Sequence, residues 1–152
     1  MMSTVALKRS WAQDLDTATL YQLLKLRVEV FVVEQKCAYP ELDGQDLLPE
    51  TRHFWLDDEG EVIATLRLCE EHRDGVKSFR IGRLCTAAPA RGHGYTTRLL
   101  QAALAETGSA TVRLSAQSYL VDLYSKHGFK VDGEEFDEDG IPHVPMRRGG
   151  SV

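Results

Sequence analysis

The amino-acid sequence predicts an α/β domain that contains an antiparallel hairpin and one parallel crossover. Short apolar stretches with strand character alternate with stretches of helical periodicity along the chain. The length of 152 residues is the usual size of one folded domain. We therefore predict a single domain over residues 1–148, followed by a flexible tail over residues 149–152, where Gly149, Gly150 and Ser151 precede the last residue.

The first third of the chain predicts a strand, a helix and a long loop. Residues 5–11 read as a strand, and Asp16 or Thr17 can cap a helix that follows. That helix carries one apolar stripe at helical spacing, formed by Leu20, Leu23, Leu24, Val28 and Phe31. Periodicity then stops over residues 34–52, which contain two prolines and a glycine, so we expect a long loop.

The middle of the chain predicts a hairpin and then a parallel crossover. Residues 53–56 and 62–69 flank a turn over 57–60, which indicates antiparallel pairing. A strand over 77–86, a helix over 92–106 and a strand over 111–115 then form a right-handed crossover.

The last quarter predicts one helix and two strands. The helix covers residues 119–127 and ends at Gly128, and the strands cover 129–136 and 144–148.

Composition excludes several functional classes. A formal net charge of -5 argues against a nucleic-acid partner, because neutralising phosphates requires a basic surface. No run approaches the roughly 18 apolar residues of a membrane span, and the N-terminus lacks a secretion signal, so we expect a cytoplasmic protein without membrane contact. Cys37, Cys69 and Cys85 lie far apart, and the five histidines form no ligand pattern, so we expect neither disulfides nor a metal site.

Residues 91–97 carry the clearest functional signal, because two close glycines stand between a predicted strand and an amphipathic helix. Backbone amides can converge there with the unpaired N–H groups of the helix N-terminus and bind an anion. The segment lacks both the GK[ST] ending of a nucleoside-triphosphate loop and the GxGxxG spacing of a dinucleotide fold. A third kind of diphosphate site is indicated. Its candidate ligands are Arg91, Gly92, His93, Gly94, Tyr95, Thr96 and Thr97.

This segment resembles the signature [QR]-x-x-G-x-[GA] of the GNAT N-acetyltransferase superfamily, with Arg91, Gly94 and Thr96 at its defined positions. Thr96 departs from the usual Gly or Ala. The chain also resembles the ElaA-type subgroup over nearly its whole length. The matching stretches are LRVEVFVVEQ at 26–35, IGR at 81–83, LSAQ at 114–117, Tyr124 with Gly128-Phe129, and EDGIPH at 138–143 ahead of Met146.

The resemblance implies a mixed, mostly antiparallel sheet with a splayed parallel strand pair and flanking helices. It also implies direct transfer of an acetyl group from acetyl-coenzyme A to an amine acceptor, either a small molecule or a peptide. Carried over, Leu84, Cys85 and Thr86 line one side of the splayed gap, and Ser115 to Gln117 line the other. Tyr124 matches the tyrosine that protonates the departing thiolate in many members.

An acceptor amine also needs a base, because its pKa near 10.4 leaves it protonated at neutral pH. The candidates are Glu34, His53 and His143, of which we rank Glu34 first because a carboxylate also attracts a cation.

Three further expectations concern charged residues and assembly. Arg83 lies two residues after Ile81 in a strand, so it is expected on the same inward face with a carboxylate partner.

Acidic residues cluster twice, and we hypothesise that some of them rim a site for a cationic acceptor. The clusters are Glu41, Asp43, Asp46 and Glu50, and Glu134, Glu135, Asp137, Glu138 and Asp139. Edge strands near the termini make a homodimer possible.

Two other functions stay open. A non-catalytic acyl-coenzyme A sensor or interaction module would keep the anion site without the chemistry, and a nucleotide or phosphosugar binder would use the same turn.

Overall fold

The computed structural model describes residues 4–149, which form one mixed sheet of eight strands. Seven strands follow the order β1-β2-β3-β4-β5-β8-β6, and β7 pairs with β8 beside this path. The strands are β1 (Val5–Trp11), β2 (Thr51–Asp58), β3 (Glu61–Arg73), β4 (Val76–Thr86), β5 (Val112–Gln117), β6 (Lys130–Val131), β7 (Phe136–Glu138) and β8 (Ile141–Arg148). The helices are α1 (Thr17–Arg27), α2 (Tyr95–Ala105) and α3 (Val121–Ser125). This architecture confirms the predicted fold class.

Helix α1 begins where the sequence predicts, because the Asp16 carboxylate accepts a hydrogen bond of 2.7 Å from the Thr19 amide. The helix does not end at Arg27 but continues as a π-helix over Val28–Glu34. π-helical segments are rare and often lie at functional sites. Here the wider turn delivers Glu34 and Gln35 to the edge of a cavity described below.

Strands β4 and β5 are the parallel pair, and they pair at only two positions, Phe79 with Val112 and Arg80 with Arg113. Beyond these positions the strands diverge, as the resemblance implies. A bulge in β4 lies at the start of the divergence, because Arg83 and Leu84 together face the single residue Leu66 of β3. Arg83 takes a left-handed backbone conformation there, with φ of 54°. The splayed gap therefore begins at a defined irregularity.

The continuous strand predicted over residues 129–136 is wrong. Strand β6 ends at Val131, and β7 begins only at Phe136. Proline explains the interruption, because Pro145 of β8 has no N–H to donate to a neighbouring strand. A side chain at Gly133 would also meet the Pro145 ring at 2.7 Å.

Helices cover both faces of the sheet. Leu99, Leu100 and Ala103 of α2 pack on one face against Phe54 and Leu66. Leu23, Leu26 and Val30 pack on the other face against Trp55 and Cys85. Of the predicted tail, only Gly149 belongs to the described residues, and the single-domain boundary stays a prediction. Within residues 4–149, no helix has the length and apolar character needed to span a bilayer.

Candidate active site

A cavity of about 750 Å³ opens where β4 and β5 diverge. Most of the site residues predicted from the sequence line it: Glu34, Leu84, Cys85, Thr86, Arg91, Thr96, Gln117, Tyr124 and His143. Gly92, His93, Gly94, Tyr95 and Thr97 do not line the cavity but continue from its edge into the turn and the first residues of α2. The fold therefore brings the thioester, base and phosphate candidates to one place.

The turn before α2 has the backbone form of an anion site. Gly92 and Gly94 both adopt left-handed backbone conformations, with φ angles of 84° and 75°. Residues other than glycine rarely adopt this conformation. Gly94 is the N-cap of α2, so the helix begins at Tyr95 and not at Gly92 as predicted. Among residues 4–149 no side chain caps this helix end. Because the first amides of a helix have no partner within the helix, they can bind an anion here.

Arg91 is held by two contacts at the base of the turn. Its Nε donates to the Thr86 carbonyl at 3.1 Å, and its two Nη atoms donate to the Glu34 carboxylate at 2.7 and 2.9 Å. Both side chains are nearly half exposed, at 44% and 45%. The hydrogen bond from Arg91 holds the pKa of Glu34 below its usual value, so Glu34 is a weaker base than the sequence suggested.

Two hydroxyl groups face the splayed gap without a partner among residues 4–149. The Thr86 hydroxyl is buried and makes no hydrogen bond. Tyr124 packs edge-on against Phe129, with ring centroids 6.0 Å apart, and burial raises its pKa to about 12. Both groups can donate a hydrogen bond to a molecule in the cavity.

The thiols of the cavity are poor nucleophiles. Burial raises the pKa of Cys85 to about 12, and burial with nearby Asp139 raises the pKa of Cys37. A protonated thiol does not attack a thioester readily, because the thiolate is the reactive form. Burial therefore favours the protonated, unreactive form of both thiols.

Two contacts that the sequence did not predict join the end of the π-helix and the loop after it to the far wall of the cavity. Gln35 and Gln117 exchange amide hydrogen bonds of 3.3 and 3.4 Å. The Cys37 thiol donates to the Asp139 carbonyl at 3.2 Å, which joins the long loop to the turn between β7 and β8. Gln35 belongs to the stretch at 26–35 that resembles the family, so the sequence could have identified it. Its partner Gln117 lies 82 residues away and could not be predicted from a local pattern.

The three predicted base candidates occupy different environments. His143 lines the cavity, with its Nδ1 donating to the Ile141 carbonyl at 2.8 Å, so its Nε2 carries the lone pair when the ring is neutral. His53 is 1% exposed, hydrogen-bonded to the Asp46 carbonyl at 3.0 Å, and does not line the cavity. Burial lowers the pKa of His53, in keeping with a neutral structural role.

Of the first acidic cluster, Asp43 lines the cavity, whereas Glu41, Asp46 and Glu50 do not. Glu41 and Asp46 are buried and pair with Arg27, whose side chain is only 1% exposed, at 2.7 and 2.5 Å. Asp43 pairs with Arg67 at 2.6 Å. Burial alone would raise the pKa of Asp43, but the hydrogen bonds from Arg67 lower it to about 2. We call Arg27, Arg67, Glu41 and Asp46 the buried charge network. Asp43 and Arg83 extend it toward the cavity, with side chains 26% and 21% exposed.

Arg83 has the carboxylate partner expected for it, because its Nε lies 2.5 Å from Glu41. The expected alternation of faces fails, since the left-handed backbone at the bulge turns the guanidinium toward the long loop and Asp43. Of the second acidic cluster, Glu138 and Asp139 line the cavity.

Comparisons with known proteins agree with this geometry. Residues 17–149 match the acetyltransferase (GNAT) domain family. A UPF0039 protein of Mycobacterium tuberculosis is 66% identical over 149 residues, covering 97% of this chain and 96% of the relative. Protein ElaA of Escherichia coli is 37% identical, covering 89% of this chain and 90% of ElaA.

Two crystal structures share the whole fold. An acyl-CoA N-acyltransferase from Pseudomonas aeruginosa superposes with a TM-score of 0.90 at 39% identity, covering 96% of this chain and all of that one. Escherichia coli ElaA superposes with a TM-score of 0.88 at 32% identity, covering 95% and 99%. With the splayed strands and the glycine turn, these matches show that the chain belongs to the GNAT acetyltransferase family.

Proposed function

We propose that the protein is an N-acetyltransferase that moves the acetyl group of acetyl-coenzyme A to a primary amine by direct attack in a ternary complex. The observation that carries the proposal is the cavity between β4 and β5, which has an uncapped helix N-terminus at one end and unpartnered hydroxyl groups inside. The family membership supports coenzyme A as the co-substrate.

Residues 91–97 bind the coenzyme diphosphate in this proposal. The amides of the glycine turn and the first turn of α2 donate to it, and the positive end of the helix dipole adds to the attraction. Leu84, Cys85 and Thr86 hold the thioester on the β4 side, and Gln117 holds the pantetheine arm on the β5 side. The buried Thr86 hydroxyl is a ready donor to this arm.

Tyr124 acts as the general acid. The amine nitrogen forms a bond to the thioester carbon, the carbon–sulfur bond breaks, and the departing thiolate takes the phenolic proton. The raised pKa of Tyr124 keeps the phenol protonated until that step. Backbone amides near the β4 bulge can stabilise the carbonyl oxygen as its negative charge develops.

His143 is our first choice for the base that removes the ammonium proton, directly or through water. The Nδ1 contact with Ile141 orients the ring, whose Nε2 lies 3.6 Å from the Glu138 carboxylate, and the side chain is 12% exposed beside the cavity. Glu34 is the second choice because Arg91 neutralises it. Glu138 and Asp139 at the cavity wall favour a cationic acceptor, such as a polyamine or a lysine-bearing peptide.

The proposal extends to location and assembly. All three cysteines are free and buried, in keeping with the reducing cytoplasm. A homodimer would pair through the edge strand β1 or through β6 and β7, and this stays a proposal. Binding to nucleic acid or membrane and a metal requirement are not part of it.

The test measures thiol release from acetyl-coenzyme A with a panel of cationic, neutral and anionic amines. We expect turnover with cationic amines, and Tyr124→Phe should lower kcat about 100-fold while coenzyme binding is kept. Tyr21→Phe, on the exposed surface of α1, is the matched control and should keep full turnover. Coenzyme binding without thiol release would instead identify a sensor, and a preference for anionic amines would reject the cationic acceptor.

A further inference from the structure

A second cavity, of about 350 Å³, lies at the opposite end of the β4–β5 pair from the splayed gap. It is lined by the end of β3, the start of β4, the loop before β5 and the start of β5. The lining residues are Arg73, Val76, Lys77, Ser78, Ser109, Ala110, Thr111 and Arg113. None of these residues is a predicted site residue, and the proposed acetyl transfer does not use them.

Two buried polar groups that line this cavity have no partner among the described residues. They are the hydroxyl group of Ser78 and the Nη1 atom of Arg113. Ser78 is only 4% exposed. Ser78 and Arg113 share one face of the sheet, because Arg113 pairs with Arg80, two residues after Ser78. A buried donor left unsatisfied costs about 1–3 kcal/mol, so two donors at one cavity indicate an acceptor between them.

The charges around this cavity favour an anion as that acceptor. Its lining contains three cationic side chains and no carboxylate, in a chain whose net charge is -5. Within residues 4–149, Arg73 and Arg113 form no ion pair, and Lys77 lies 3.5 Å from Glu70. Glu71 of β3 lies opposite Ser78; one of its oxygens holds Arg80 at 3.2 Å, and the other is buried without a partner among the described residues.

We propose that this second cavity binds an oxyanion, as a phosphate or carboxylate group, which accepts hydrogen bonds from the Ser78 hydroxyl and the Arg113 guanidinium. Arginine is suited to such groups because its planar fork matches their geometry. Ser78 belongs to β4 and Arg113 to β5, so the bound group joins the two strands beside the only two positions at which they pair. This site is separate from the proposed coenzyme site and does not depend on it.

The test follows backbone amide signals by nuclear magnetic resonance during titration with inorganic phosphate, and in a second arm with acetate, at constant ionic strength. Residue resolution is needed because phosphate also binds helix N-termini such as residues 92–97. We expect saturable shifts at Ser78, Thr111 and Arg113. Arg113→Gln should raise the Kd at these signals at least tenfold, and Ser78→Ala should raise it severalfold.

Lys25→Gln removes one positive charge from the exposed surface of α1 and is the matched control, with an unchanged Kd expected. If Arg113→Gln does not fold, the wild-type and Ser78→Ala titrations still decide the question. A saturable response to phosphate alone identifies a phosphate site, and a response to acetate as well identifies a general carboxylate or phosphate site. Shifts confined to residues 92–97, or no shifts, would show that water alone fills the cavity and would overturn the proposal.

Discussion

Two guanidinium–carboxylate pairs near the long loop after the π-helix have equal length and opposite exposure to solvent. Arg27 and Glu41 lie 2.7 Å apart with side chains 1% and 3% exposed. Arg91 and Glu34 also lie 2.7 Å apart, but their side chains are 44% and 45% exposed. The two pairs therefore differ in their exposure to solvent and not in their hydrogen-bond length.

The difference in exposure determines how much each pair contributes to stability. Breaking a buried pair by removing one partner costs about 3–5 kcal/mol, because a charge stays buried without compensation. An exposed pair contributes about 0–1 kcal/mol and is screened by salt. The buried charge network therefore fixes the long loop beside the cavity. The exposed pair can exchange, so Arg91 is free to turn from Glu34 toward a coenzyme phosphate.

The largest expected effect comes from the buried side of this comparison. Arg27→Ala should lower the free energy of unfolding by about 3–5 kcal/mol, because Glu41 and Asp46 lose a shared cation in a dry environment. Urea unfolding followed by circular dichroism measures the change. Arg91→Ala is the control from the exposed side and should lower stability by no more than about 1 kcal/mol. Equal losses in the two variants would remove the distinction drawn here.

An intermediate effect is expected at the exposed pair. Glu34→Gln frees Arg91 from its carboxylate, so the KM for acetyl-coenzyme A should fall severalfold while kcat changes less than threefold. Glu138→Gln removes the same charge from the cavity wall without touching Arg91 and should leave this KM unchanged. Steady-state kinetics at neutral pH measures both variants. A fall in kcat of about 100-fold in Glu34→Gln would instead make Glu34 the catalytic base.

The smallest effect concerns pH and His53, which bonds to Asp46 in the buried region. Burial lowers the pKa of His53 in the folded protein below the ordinary value of 6.5. Below that value the unfolded chain binds a proton that the folded protein does not, so stability declines as pH falls from about 6.5 toward the folded pKa.

Urea unfolding between about pH 7 and pH 5 measures this decline, and His53→Gln should make it shallower. His72→Gln, at an exposed histidine of β3, should leave the slope as it is in the wild type. An unchanged slope in His53→Gln would contradict the assignment of a neutral, buried imidazole.

Local patterns predicted most of the fold. The strand at residues 5–11, the cap at Asp16, the hairpin and the crossover all follow from periodicity and turn chemistry within short windows. The π-helical extension could not be predicted, because its residues keep a helical apolar pattern. The prediction of one strand over 129–136 was wrong because its pairing depends on Pro145, which lies outside that stretch of sequence.

The sequence predicted most of the residues that line the cavity but not the partners with which their side chains interact. The glycine turn and the family stretches identified most residues that line the cavity, yet their partners lie far along the chain, as with Arg67 and Asp43, 24 residues apart. An acidic loop also looks the same in sequence whether its carboxylates face solvent or buried arginines. Only the structure showed that Glu41 and Asp46 are already neutralised.

We propose that residues 91–97 hold the coenzyme diphosphate and so direct the thioester into the splayed gap. A crystal structure with acetyl-coenzyme A tests this proposal. We predict diphosphate oxygens about 2.7–3.2 Å from the backbone nitrogens of residues 92–97, with the thioester between β4 and β5 near Tyr124. A diphosphate bound elsewhere, with this turn bare, would contradict the account.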